Sequence, residues 1–166
     1  MSNNIDAFLQ LTDIKGEAKD TTHSDWIAVE WFQLASKNST SHVSKQSGGH
    51  GAGIVDLGTL RISPLFDKSS VILHKYLITG KHIDKVALHV RRQGGDGDAS
   101  QVDWYQIELT NAMVADTDIG FQGGAFSFGF SLAFETFKES YFPQSQNGVK
   151  GAEVTFTWDT YKNALK

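Results

Sequence analysis

Ala125-Phe126-Ser127-Phe128-Gly129-Phe130-Ser131-Leu132-Ala133-Phe134 alternates between bulky apolar and small residues along its whole length. Successive side chains of a β-strand point to opposite faces, so the stretch reads as a strand with Phe126, Phe128, Phe130, Leu132 and Phe134 on one face, expected in a core. The other face holds Ala125, Ser127, Gly129, Ser131 and Ala133, small enough for a neighbour to approach closely. Segments on both sides follow the same pattern. Val86, Leu88 and Val90 alternate with Ala87, His89 and Arg91; Gly94-Gly95-Asp96-Gly97-Asp98 is a hairpin turn signal; Tyr105, Ile107 and Leu109 form the answering strand. Beyond the loop Pro143 to Gly148, Val154, Phe156 and Trp158 make a last strand. Toward the N-terminus, Ile5, Ala7, Leu9 and Leu11 alternate before a turn at Lys15-Gly16-Glu17, and Leu57, Leu60 and Ile62 lead to Pro64. With 16 Gly and 11 Phe against 2 Pro, the expected fold is mainly β: an antiparallel β-barrel or sandwich carrying one helix, over 1–166 as a single domain.

The helix is expected at about residues 69–79. Asp67-Lys68-Ser69-Ser70 offers N-cap oxygens, Leu73, Tyr76 and Leu77 share one face, and Gly80 is a natural stop before Lys81 and His82. Trp26 to Leu34 is apolar on both faces, interrupted by Glu30 and Gln33. A small barrel has little room for Trp26, Trp31 and Phe32 on both faces, so burial against a partner is expected. With Ser127, Gly129 and Ser131, these form the candidate subunit interface. Ser36 to Gly53 is eighteen polar and Gly-rich residues in which only Val43 and Ala52 are apolar. A loop of that length in a compact domain is usually functional or ordered by a partner.

The net charge of −4 comes from 15 basic and 19 acidic residues, with the excess in residues 84–166, which hold 7 basic and 11 acidic groups. That balance excludes the basic footprint of nucleic-acid binding, and no polybasic membrane-surface segment is present. Cysteine is absent, which removes disulfides and thiolate chemistry. The opening Met1-Ser2-Asn3-Asn4-Ile5-Asp6 does not read as a signal peptide, and the uncharged run from Ile119 to Phe134 is too short to span a bilayer.

Signatures of catalysis are missing: no G-x-S-x-G elbow, Walker loop or H-E-x-x-H occurs. Gly49-His50-Gly51-Ala52-Gly53 lacks dinucleotide spacing, and Asp96-Gly97-Asp98 lacks the further oxygens of a calcium loop. Of the histidines His23, His42, His50, His74, His82 and His89, only His74 and His82 flank a shared element, so polar or capping roles are expected rather than metal binding. No cofactor and no enzymatic activity are expected. A ligand- or carbohydrate-binding sandwich using Trp104 and Tyr105 is one alternative, and an enzyme whose residues meet only in space is another.

Several blocks together resemble the haemolysin-coregulated protein (Hcp) family of type VI secretion. They are Ile5-Asp6-Ala7-Phe8-Leu9 with Ile14-Lys15-Gly16-Glu17, His23 with Ile27 and Val29, Gly51-Ala52-Gly53, Asp67-Lys68-Ser69-Ser70 with Leu73, Gly80-Lys81-His82, and Arg92 to Gly95, including Gly94. The resemblance runs from Ile5 to about Leu132; Phe137 to Gly151 falls outside it, and Val154–Trp158 matches loosely. It implies a β-barrel subunit with one helix, packed as a homohexamer whose rings stack into the inner tube. It further implies partners in the sheath, the spike tip and small effector proteins carried in the lumen, and a path from the bacterial cytoplasm to the outside without a signal peptide. On that reading Gln33 is a candidate lumen residue, and Lys45, Gly49 and His50 lie in a candidate ring-stacking loop. A phage-type tail-tube subunit shares the architecture.

Overall fold

A computed structural model describes residues 5–39, 54–92, 102–145 and 149–166. The strands are β1 (Ile5–Leu11), β2 (Ile27–Leu34), β3 (Lys37–Asn38), β4 (Val55–Asp56), β5 (Leu60–Pro64), β6 (His82–Arg92), β7 (Val102–Gln122), β8 (Ala125–Ala133), β9 (Thr136–Tyr141), β10 (Val154–Asp159) and β11 (Ala164–Leu165), with helix α1 (Lys68–Thr79) between β5 and β6. Six strands close on themselves in the order β7-β6-β1-β2-β5-β8 and back to β7, all antiparallel. The expected β-barrel with one helix is the fold observed.

Strand β7 decides this closure. One of its edges takes β6, while the other takes β8 and β9 in succession: Met113 faces Ala133 and, three residues earlier, Thr110 faces Thr136. The chain divides at Phe134–Glu135. Its β8 half turns to β5 and closes the barrel, and its β9 half turns to β10 and β11, which extend the sheet outside it. The sequence reading ended this strand near Leu109 and gave no role to Phe137–Gly151. The structure instead carries β7 to Gln122 and makes Thr136–Tyr141 a strand, with Phe137 fully buried. Glu139, standing between Phe137 and Tyr141, breaks the apolar alternation of this short strand and hides it from a hydrophobicity pattern.

The core gathers Leu9, Ile27, Leu60, Ile62, Leu88, Ile107, Leu109, Phe130 and Leu132 from all six barrel strands, together with Leu73 and Tyr76 of α1. Of the Phe stripe, Phe128, Phe130 and Leu132 are buried as expected, whereas Phe126 is exposed. The two-sided apolar look of β2 has a local cause. Val29 pairs with Pro64 and Trp31 with Ser63, so a bulge at Glu30 shifts the alternation. Ile27, Val29, Phe32 and Leu34 thereby pack against the core and Trp31 points out. Of the long polar loop, Lys37–Asn38 pairs with Val55–Asp56; residues 40–53 lie outside the described residues.

Helix α1 is fixed at both ends by the expected residues. Asp67 accepts from the Ser69 amide at 2.7 Å and from the Ser69 hydroxyl, and its own amide donates to Ser70 Oγ at 3.3 Å, closing a capping box. A cross-link from the β1–β2 loop adds to this: the Glu17 amide donates to Asp67 Oδ2 at 3.0 Å, and the Lys68 amide donates to Glu17 Oε2 at 3.1 Å. Gly80 ends the helix in the left-handed region at φ 65°. Asp67→Ala removes the cap and strands the Glu17 amide, so it should lower unfolding stability by about 1–2 kcal/mol in a urea titration, with the native barrel otherwise kept; an unchanged midpoint would show the cap to be idle.

Candidate functional site

Past Thr117 the β7–β8 pair runs beyond the barrel wall. The last β5 residue in the ladder is Ile62, paired with Phe130. Beyond it, among the described residues, β5 reaches the ribbon only through side chains, Ser63 Oγ donating to the Phe128 carbonyl at 3.4 Å and Arg61 pairing with Asp118. In its backbone pairing, among the described residues, the ribbon from Asp118/Gly129 to its turn is a two-stranded arm. Gly123 and Gly124 make that turn at φ 58° and 83°, a backbone other residues rarely take. Directly paired residues share a face. Ile119 with Phe128 and Phe121 with Phe126 therefore form one apolar face, and Asp118 with Gly129 and Gly120 with Ser127 form the other. Phe66 packs edge-on against Phe126 and Phe128, at centroid distances of 4.5 and 6.1 Å, and covers the inner part of the apolar face. Ile119, Phe126 and Phe121 remain open, Phe121 at 72% exposure.

The small-residue face is occupied at its base from within the chain. Arg61 Nη1 donates to Ser131 at 3.2 Å, and the same guanidinium pairs with Asp116 and Asp118. A Cβ on Gly129 would stand 2.9 Å from Asp118 Oδ1 and 3.2 Å from Arg61 Nη2, which accounts for glycine there without invoking a neighbour. Ser131 is buried, while Ser127 stays exposed. Of the apolar candidates, Trp26 packs on the rings of His23 and His89, Phe32 lies 6.5 Å from Tyr105 in a stacked pair, and Trp31 is 48% exposed. Gln33 is exposed and pairs with Arg61 across β2–β5. Beyond the cap residues, Lys81 sits over the Tyr76 ring at 4.8 Å, His82 Nδ1 is 2.8 Å from Asn111 Oδ1, and Arg92 lies over Trp104 at 4.8 Å. Trp104 is also edge-on to Tyr141, so it is not the free platform a glycan-binding surface needs. Lys45, Gly49, His50, Gly94 and Gly95 lie outside the described residues.

A second grouping was not foreseen. The loop between β1 and β2 folds over the outer face of the sheet and buries charge there. Arg91, 3% exposed, pairs with Asp20 at 2.8 Å and Asp6 at 3.4 Å. His23, also 3% exposed, has Nδ1 3.1 Å from Asp20 Oδ1 and Nε2 3.2 Å from Asp103 Oδ2. His89 Nδ1 lies 2.9 Å from the same Asp103 oxygen, and Phe8 stacks on His23 at 4.6 Å. Burial would raise the pKa of Asp20, but hydrogen bonds from Arg91, Thr22 and His23 outweigh it and hold the carboxyl well below the ordinary range. Burial also opposes the charged form of Asp103, and the bond from His89 with the attraction of His23 overcomes it. No sequence spacing announces this cluster, because His23 and His89 meet only through the β1–β6 register that sets Phe8 opposite His89.

Comparison with known proteins places these features. The family model described as "Type VI secretion system effector, Hcp" matches residues 8–141. Protein hcp1 of Pseudomonas aeruginosa is 32% identical over 163 residues, covering 96% of this chain and 97% of its own. Among solved structures, one described as a type six secretion system protein superposes with a TM-score of 0.87 at 24% identity, over 98% of this chain and 99% of that one. Hcp1 from Salmonella typhimurium gives 0.77 at 23% identity, over 98% and 99%. The fold and these matches define a secreted protein of type VI secretion. The chain belongs to the Hcp family.

The two depressed carboxylates set a pH dependence. Unfolding returns Asp20 and Asp103 to ordinary values, so the unfolded chain binds their protons more readily than the native one. The stability they contribute is present above about pH 4 and is lost as pH falls further. Urea midpoints should drop on acidification below about pH 4. Asp20→Asn, which leaves buried Arg91 without its nearest carboxylate, should cost about 2–3 kcal/mol near neutrality and flatten the acid limb. A wild-type midpoint insensitive to acid would contradict this account.

Proposed function

We propose that the chain is a structural, non-catalytic subunit of the type VI inner tube: six copies close a ring, and rings stack into a hollow tube that is exported. The observation that carries this reading is the arm, whose open apolar face of Ile119, Phe121 and Phe126 is unlike the surface of a subunit that works alone. A ring needs a heterologous contact, in which the arm of one copy meets a different surface of the next and the rotation closes. Ser127, exposed on the opposite face of the arm, and exposed Trp31 belong to a second part of the contact, with Trp26, Phe32, Gly129 and Ser131 as its less exposed members. Gln33 faces the lumen, and the loop holding Lys45, Gly49 and His50 meets the next ring through weak, salt-sensitive contacts. The sheath, the spike tip and small effector proteins are the remaining partners. The protein is made in the bacterial cytoplasm and leaves through the system itself, without a signal peptide.

Burying one Phe side chain is worth roughly 2 kcal/mol, more than a tenfold change at each contact, repeated around the ring. Purified wild-type protein should show the mass of six chains by light scattering and annular particles in negative stain. Phe121→Glu should shift the mass to one chain while the far-UV circular dichroism stays that of the barrel. Rings retained by Phe121→Glu would remove the arm from the contact, and a wild-type mass of one chain at micromolar concentration would remove the ring.

A further inference from the structure

Beyond the tube reading, the structure points to a metal site. We propose that His23, His89 and Asp103 bind one divalent transition-metal ion of the zinc type. One ligand atom from each lies within 4.8 Å of the other two. His23 Nε2 and His89 Nδ1 stand 3.2 and 2.9 Å from Asp103 Oδ2. Tetrahedral zinc with bonds of about 2.0–2.2 Å sets its ligand atoms roughly 3.3 Å apart, so two of the three edges are already near that length. Two imidazoles and one carboxylate suit zinc, nickel or copper better than magnesium or calcium.

The surroundings resemble the support of a ligand set. His23 Nδ1 is engaged by Asp20, and Asp20 is in turn fixed by Arg91, so the ring presents Nε2 to the site. Phe8 stacks against the same ring at an interplanar angle of 5°, and Trp26 meets it edge-on. Asp103 Oδ1 is buried and has no hydrogen-bond partner among the described residues. Both imidazoles already lie against Oδ2, so it is bidentate binding, with Oδ1 also turned to the ion, that would give the orphaned oxygen a partner. His23 is sealed, but His89 and Asp103 keep about one-fifth of their side chains exposed, which gives an ion a way in and leaves room for water as the fourth ligand. Binding displaces any protons on His23 Nε2 and His89 Nδ1 to solvent and changes no oxidation state. The ion joins the β1–β2 loop to β6 and β7, so it fastens to the barrel the same loop that caps α1.

The test is titration of chelator-treated full-length protein with cobalt(II), followed in the visible spectrum, and with zinc, followed by thermal unfolding. One cobalt per chain with the bands of a four-coordinate ion, displaced by zinc, and a higher Tm with zinc are expected. His89→Gln and Asp103→Asn should each weaken binding at least tenfold, and His74→Ala, on α1, should leave it unchanged. The metal-free melts of the variants verify that they fold. Absence of cobalt bands and of a zinc-dependent Tm shift in wild type, or equal binding by wild type and both cluster variants, would overturn the site. Neither result depends on whether rings form.

Discussion

The register of β7 is the constraint on which the rest of the molecule depends. It is 21 residues long, against 11 for β6, and it holds β6 on one edge and two successive strands on the other. Its middle must close the barrel, so its excess length has to run past the wall. At about 3.4 Å per residue, the five residues from Asp118 to Gln122 carry the arm roughly 17 Å outward. A two-stranded ribbon is marginal in water without cover. Here Phe66 covers part of one face and the Arg61–Asp116–Asp118 cluster braces the other. The apolar surface proposed for assembly is thus a direct product of how the barrel closes.

A second dependence runs through the β1–β2 loop. It has no regular structure, yet it connects the helix cap to the outer face of β6 and β7. Glu17 bonds the first turn of α1, and a few residues later Asp20 and His23 meet Arg91 and Asp103. Burying the guanidinium of Arg91 is costly unless it is paired, and the pairing is specific to one placement of the loop. Charge burial here selects a conformation that apolar packing alone would leave open.

The parts legible in the sequence are those carried by local chemistry. The Phe128–Phe130–Leu132 face, the Asp67 cap, the Leu73–Tyr76 face and the Gly80 stop all follow from neighbours within a few residues, and each stands where the pattern set it. Features decided by pairing at long range were not legible. Nothing in Trp26–Leu34 signals a bulge at Glu30, so a phase shift looked like a strand greasy on both faces. Strand β9 reads as polar because Glu139 interrupts the Phe137–Tyr141 face and leaves Lys138-Glu139-Ser140 as a polar run, and only its pairing with β7 and β10 defines it. His23 and His89 belong to segments far apart in sequence, and spacing rules see only near neighbours. The small residues of β8 were read as allowing close approach by a neighbour; at Gly129 and Ser131 the group that approaches is Arg61 of the same chain.

The central claim is that the arm of one copy rests on the next. The most direct measurement places a photoreactive phenylalanine analogue at position 121 and irradiates the assembled protein. The account predicts a covalent ladder rising to six chains, with mass spectrometry locating the acceptor on a surface other than the arm. Efficient photolysis giving only single chains, or cross-links confined to the same molecule, would contradict it.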